Sequence, residues 1–300
     1  MKPLVLCAAL LMAQHISVDV DLVVLNVTVL DFKARRVGGL SKDNFRVFED
    51  GVEQRIQFVR PEDIPATVGL VIDNSGSMRR KKADVTQTAL EFAELSNPQD
   101  ELFTVNFNER VSMGLPDSLP FTSDMDQFRR ALAAVKADGK TALYDGVVSA
   151  LKHLETGTHQ RRALIVLSDG GDNASAAGLE DVLHAAENSS ATIYTIGIFD
   201  DDDKDKNPKV LRQIADATGG DAYLPQRPDD VHEAWRKIAA SIRTQYTIGY
   251  APTNSKHDGT FRAVTVSAIA PNGKPLRVRA RKGYIAPTEH RAFLPGPVKM

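Results

Sequence analysis

The sequence predicts an α/β fold, a doubly wound and mostly parallel sheet inserted in a small discontinuous β-sandwich, and three observations carry that prediction. Two runs, Val68-Gly-Leu-Val-Ile72 and Ala163-Leu-Ile-Val-Leu167, are apolar on both faces and lead into aspartates, Asp73 and Asp169. Such strands belong to parallel sheets covered by helices on either side. Between and after them, apolar residues recur at helical spacing. Outside residues 66–243 the period falls to two. Neither flanking block buries much surface alone, so residues 16–60 and 244–286 are expected to pair into one β-sandwich domain, with an α/β domain over 66–243 inserted between them.

The chain of 300 residues, 42% hydrophobic and 25% charged with a formal net charge of −2, has the composition of a globular chain long enough for two domains. Its basic residues are scattered, apart from Arg79 to Lys82 and the Arg277/Arg279/Arg281/Lys282 run, so no nucleic-acid partner is implied. Residues 1–14 stand apart. Lys2, an almost wholly apolar Leu4 to Met12 and then Ala13-Gln14 resemble a short signal peptide, which places the mature chain outside the cytoplasm, secreted or in the cell envelope. The run is too short to span a bilayer. A buried first strand and a misplaced start codon compete with that reading, and Leu4-Val-Leu-Cys7 resembles a lipoprotein box, though with a bulky Leu before Cys7. Cys7 is the only cysteine, so a chain cleaved after Ala13 has no disulfide, thiol nucleophile or cysteine zinc site.

In order, Ile16 to Val29 alternates like a strand with a bulge near Val24. Ser41 starts a short helical turn, and Phe45 to Phe58 reads as a hairpin turning at Asp50-Gly51. A linker, Pro61 to Pro65, precedes the first buried strand. Helices are predicted over residues 79–95, with Ala83, Thr86, Ala89, Leu90 and Ala93 inward, and over 124–135. Leu102 to Phe107 is a strand, and Leu143, Val147, Leu151 and Leu154 mark another helix. After Asp169 come a helix from Leu179, a strand from Thr192 to Ile198, and a helix bracketed by Asn207-Pro208 and Gly219. A last helix runs from Asp229 to about Ser241. Strands then follow at Gln245–Tyr250, Phe261–Ser267 and Leu276–Ala280, joined by turns at Asp258-Gly259 and Asn272-Gly273. The tail over 287–300 is expected to be loose.

Asp73-Asn-Ser75-Gly-Ser77 alone would serve equally as a helix cap. Together with Thr141 in a loop before a helix, and Ser168-Asp169-Gly170 after the second buried strand, it resembles the metal-ion-dependent adhesion site of the von Willebrand factor type A family over residues 66–243. Glu49-Asp50-Gly51, Tyr246-x-x-Gly249-Tyr250 and Arg279-x-Arg281-x-Gly283-Tyr284 are similar to a bacterial secreted group of such proteins. Membership implies a metal at the carboxyl edge of the sheet. Ser75, Ser77 and Thr141 would offer hydroxyl oxygens to Mg²⁺, with Mn²⁺ and Ca²⁺ as substitutes, while Asp73 and Asp169 bind it directly or through water. It also implies a protein partner whose Asp or Glu supplies the last ligand. Asp172 and Asn173, just beyond, are expected to shape the turn. Asp200-Asp-Asp-Asp203 is expected to be a solvated acidic loop on the same edge, since it lacks the glycine and terminal Glu of a calcium loop.

The competing function is a hydrolase with Ser75, Ser77 or a metal-activated water as nucleophile. No glycine-flanked elbow surrounds the serines, and His153, His184 and His232 fall on predicted helices away from the motif. A third reading makes the metal a loop stabiliser without a partner. No catalytic residue is assigned, and the partner and oligomeric state are not legible.

Overall fold

A computed structural model describes residues 22–60, 64–133, 136–199 and 206–288. The expected signal peptide, the start of the strand expected from Ile16, most of the tail and the Asp200–Asp203 loop lie outside the described residues.

The chain opens with β1 (Val23–Leu30), β2 (Phe45–Glu49), β3 (Val52–Gln54) and β4 (Ile56–Arg60). The α/β part follows as β5 (Ala66–Asp73), α1 (Lys82–Leu95), β6 (Glu101–Phe107), β7 (Val111–Met113), α2 (Met125–Ala133), α3 (Leu143–Leu154) and β8 (Arg161–Ser168). It continues with α4 (Leu179–Asn188), β9 (Thr192–Gly197), α5 (Pro208–Ala217), β10 (Ala222–Tyr223) and α6 (Pro228–Arg243). Four strands close the fold: β11 (Tyr246–Tyr250), β12 (Phe261–Ile269), β13 (Pro275–Arg279) and β14 (Gly283–Ile285).

The central sheet runs β10-β9-β8-β5-β6-β7, parallel except for β7, as the buried runs predict. Val68, Leu70, Val71 and Ile72 of β5 are all buried, the first, second and fourth in the core on one face of the sheet and Val71 in the core on the other. One face is covered by α1 and α6 with part of α2, the other by α3, α4 and α5. Helix α1 begins later than predicted, at Lys82, because residues 75–81 make successive tight turns (Met78 N–H to Ser75 O, Lys81 N–H to Met78 O) that hold the two serines of the motif. Its inner face is Val85, Thr88, Ala89, Phe92 and Ala93. Ala83 is exposed, since the larger Val85 and Phe92 set the register. Helix α5 starts as predicted: the Asn207 side chain accepts from Val210 N–H, Pro208 takes the first position, and Gly219 follows the end with φ +77°.

The flanking segments pair with each other, but not as a two-layer sandwich. Their eight strands form one barrel-like antiparallel sheet, ordered β3-β2-β12-β13-β1-β11-β4 with β14 on β12. The reason lies in β1, whose residues 23–27 pair with β11 and whose residues 28–30 pair with β13, so one strand joins what would otherwise be two sheets. Asp50-Gly51 turns β2 into β3 with φ of 48° and 81°, the positive pair that a tight hairpin requires. Asn272-Gly273 turns β12 into β13. Asp258-Gly259 joins no hairpin, because β11 pairs with β1 and β4 rather than β12.

Two buried arginines lock this sheet beneath the central one. Arg281, 9% exposed, donates Nη1–H to Ser189 O at 2.7 Å and Nε–H to Gly283 O at 2.7 Å, and its Nη2 reaches Glu187 O. It thereby caps the carboxyl end of α4 from the other sheet, where orphan carbonyls attract a cation. Burial pushes its pKa down to about 10. Arg161, fully buried, treats the end of α6 the same way, donating to Ile242 O at 2.9 Å and Gln245 O at 2.6 Å. Arg281→Ala should lower stability by about 2–3 kcal/mol, the scale for stranding buried carbonyls, and Arg281→Lys should restore only part of it because an ammonium cannot reproduce the planar fork; urea unfolding midpoints measure both.

Candidate metal centre

Strands β5 and β8 are neighbours in the sheet, yet the chain leaves them for opposite faces, to α1 and to α4. Ligands gather in the crevice outside the carboxyl ends of strands at such a divergence. Asp73 and Asp169, both 2% exposed, stand there.

Asp73 accepts from Ser75 N–H at 2.8 Å through Oδ1 and from the Ser168 hydroxyl at 2.6 Å through Oδ2. Ser77 donates its hydroxyl to Asp169 Oδ2 at 2.7 Å. That leaves Ser75 as the donor in the 3.0 Å contact between the two serine hydroxyls. Asp169 Oδ1 accepts from Gly171 N–H at 3.0 Å. Gly170 between them has φ +82°, and a Cβ there would lie 2.4 Å from Asn207 O, so only glycine permits the turn. Four of the five residues singled out in the sequence, Asp73, Ser75, Ser77 and Asp169, are thus joined with Ser168 in a web of short hydrogen bonds.

Thr141 reaches the site differently. Its loop docks on the serine loop by backbone alone, with Gly76 N–H on Gly139 O at 3.0 Å and Asp138 N–H on Asn74 O at 2.9 Å. Thr141 is 7% exposed, and among the described residues its hydroxyl takes no part in the web. Beneath the serine loop, Asn74 is buried and donates to Asn106 Oδ1 at 3.1 Å while accepting from Lys82 Nζ at 3.0 Å. Among the described residues, the three helical histidines make their hydrogen bonds elsewhere than at Ser75 or Ser77: His153 contacts Pro120 O, His184 contacts Asn188 and His232 contacts Glu91.

Asp172, Asn173, Ser175 and Asp145 also belong to the site's framework, beyond the local turn expected from the sequence. Asn173 Oδ1 accepts from Thr141 N–H at 2.9 Å, and Asp172 Oδ2 accepts from Tyr144 N–H at 3.0 Å. The one local signal was negative: α3 starts after Ala142, which cannot cap it.

Electrostatically the site is set by two buried carboxylates side by side. Burial, and then the charge of Asp169, push the Asp73 pKa up to about 7, against the hydrogen bonds from Ser168 and Ser75 that pull it down. Two buried carboxylates and three hydroxyls, all oxygen, suit a hard divalent cation that would neutralise the pair. No group of three or more His, Cys, Asp or Glu side chains that could hold a metal occurs among the described residues, so a cation here would lean on neutral hydroxyls.

Residues 68–171 match the family model of the von Willebrand factor type A domain. The human inter-alpha-trypsin inhibitor heavy chain H4 is 22% identical over 68% of this chain and 24% of its own length. An uncharacterized protein of Synechocystis is 25% identical over 58% of this chain and 41% of its own. The chain therefore spans less than half the length of either relative. A solved von Willebrand factor type A structure from Catenulispora acidiphila, 16% identical, superposes with a TM-score of 0.54 over 92% of this chain and 76% of that one. The PilB minor pilin from Streptococcus sanguinis, 11% identical, does so with a TM-score of 0.50 over 60% and 62%. At such identities these likenesses concern the fold.

The raised Asp73 pKa has a thermodynamic signature. Between the ordinary value of 3.8 and about 7, the metal-free folded chain holds a proton that the unfolded chain has released. Stability from this group is therefore full below pH 3.8 and lost as pH rises through 7. Thermal melts in chelator should show the wild type losing stability from pH 5 to pH 8, and Asp73→Asn losing much less.

Proposed function

We propose that the von Willebrand factor type A domain carried by this chain is an extracytoplasmic, Mg²⁺-dependent protein-binding module, in which the metal captures a carboxylate of a partner protein. The observation that carries the proposal is the convergence of Ser75 and Ser77 on Asp169, beside Asp73, where two buried carboxylates meet hydroxyl oxygens. In this reading Ser75, Ser77 and Thr141 supply neutral oxygens while Asp73 and Asp169 supply charge. Mn²⁺ or Ca²⁺ could substitute for Mg²⁺. Two carboxylates balance one divalent ion, and hydroxyls leave it electrophilic enough to attract a further anion.

The protein's own residues set the rest. Ser168 holds Asp73 from below, Gly171 N–H holds Asp169, and Asn74 with Lys82 and Asn106 stiffens the floor of the serine loop. Residues 66–243 form the binding domain, and the barrel-like sheet mounts it from the opposite edge. The apolar run over residues 4–12 supports export, and the fold likeness to a minor pilin is in keeping with an adhesion or assembly role. A serine hydrolase finds less support here, since Ser77 gives its proton to a carboxylate rather than to an imidazole.

Calorimetric titration should show Mg²⁺ binding by the full chain, abolished in Asp73→Ala and Asp169→Ala with circular dichroism unchanged. Immobilised wild-type chain should retain envelope proteins in Mg²⁺ and release them in chelator. Capture that persists in excess chelator would sink the proposal, and a metal that raises the melting temperature without any metal-dependent capture would make it a loop stabiliser only.

A further inference from the structure

Helix α3 begins immediately after Thr141, and its own chain does not cap it. Ala142 occupies the cap position with φ −106° and ψ 62° and offers no side-chain acceptor. The N–H groups of Tyr144 and Asp145 would then lack partners in the first turn. Both find them on the segment that follows Asp169. Asp172 Oδ2 accepts from Tyr144 N–H at 3.0 Å, and Ser175 Oγ accepts from Asp145 N–H at 3.1 Å. Asp172 in turn receives the Ser175 hydroxyl at 2.6 Å, which fixes the direction of that oxygen.

The dependence runs both ways. The segment's own backbone donors go to the Thr141 side: Asn173 N–H and Ala174 N–H to Thr141 O at 2.9 and 3.0 Å, and Ala176 and Ala177 N–H to the Asp145 carboxylate at 2.9 Å each. Asn173 Oδ1 takes Thr141 N–H at 2.9 Å, so the threonine is held through both of its backbone groups. Only Gly170 and Gly171 separate Asp169 from Asp172, and Gly170 lies close against Asn207 O, so the bonds to Thr141 and Asp169 come from one short segment.

We propose that Asp172 and Asn173 are positioning residues, a clasp that joins the Thr141 loop and the Asp169 loop into one rigid half of the metal site. This inference rests on the metal reading above. The Ser75/Ser77 loop is then the other half, docked to the first through Gly76 on Gly139 and Asp138 on Asn74. Ordering Thr141 before the ion arrives removes an entropic penalty from binding, so the clasp acts on affinity although neither residue supplies a ligand.

Mg²⁺ titration of the full chain carrying Asp172→Ala, Asn173→Ala or Asp172→Asn tests this, together with amide hydrogen exchange at Tyr144 and Asp145 in the metal-free protein. Both alanine variants should weaken Mg²⁺ binding by roughly 10- to 100-fold, the usual consequence of removing groups that orient metal ligands. Asp172→Asn keeps an acceptor for Tyr144 N–H and should stay within about threefold of wild type, since Asn and Asp cap helices equally well. Exchange at Tyr144 and Asp145 should quicken in Asp172→Ala without metal. Wild-type Mg²⁺ affinity in both alanine variants overturns the clasp, as does an asparagine variant as weak as alanine, which would make charge rather than capping the cause. If the wild type itself takes no Mg²⁺, the metal reading fails, and unchanged exchange in Asp172→Ala then overturns the clasp on its own.

Discussion

Two carboxylates side by side in a buried crevice are the constraint around which this fold is arranged. Adjacent parallel strands, β5 and β8, end at the same level and deliver Asp73 and Asp169 to one place. An isolated pair of like charges out of water is strongly unfavourable. Neighbouring groups soften this without cancelling it: backbone N–H groups of Ser75 and Gly171 and the hydroxyls of Ser168 and Ser77 all donate to the pair. None of these donors carries charge, so Asp73 remains ready to hold a proton near neutral pH. The strain is local and electrostatic, and a divalent cation is the simplest species that relieves it.

The rest of the molecule lies where it does not interfere. Arg281 and Arg161 bind the carboxyl ends of α4 and α6, which are at the sheet edge opposite the crevice. Asn26 of β1 adds a bond to Ser190 O at 3.2 Å on the same side. The barrel-like sheet is therefore fastened through helix ends whose carbonyls the two arginines satisfy, while the two carboxylates lie at the other edge of the central sheet.

Much of this was legible because it is local. The apolar runs, Asn207-Pro208, the Asp50-Gly51 turn and the oxygen-rich motif each state their structure within a few residues, and the two aspartates converge because parallel strands require it. What failed was non-local. The switch of β1 between β11 and β13 depends on a register that alternation alone does not set, so one wrapped sheet was expected as two. The first turn of α1 was misjudged because residues 79–81 are good helix formers that the serine loop holds in tight turns. Asp258-Gly259 has hairpin composition, yet Asp258 spends its carboxylate on Thr260 and Arg262, away from any hairpin.

The same distinction explains why Asp172 reads as a turn residue. An N-cap is ordinarily found immediately before its helix, and Asp172 caps the first turn of a helix through Tyr144, which lies 28 residues earlier in the chain. A helix with Ala142 at its start would fray in isolation, which for most helices is a defect. Here it makes the Thr141 loop depend on the loop that bears Asp169. A self-sufficient cap at position 142 would stabilise α3 but release Thr141 from that dependence, so local helix stability and a unified site pull in opposite directions. The absence of a local cap is thus itself informative: at α3 the missing acceptor comes from the loop that follows Asp169, which ties the two loops together.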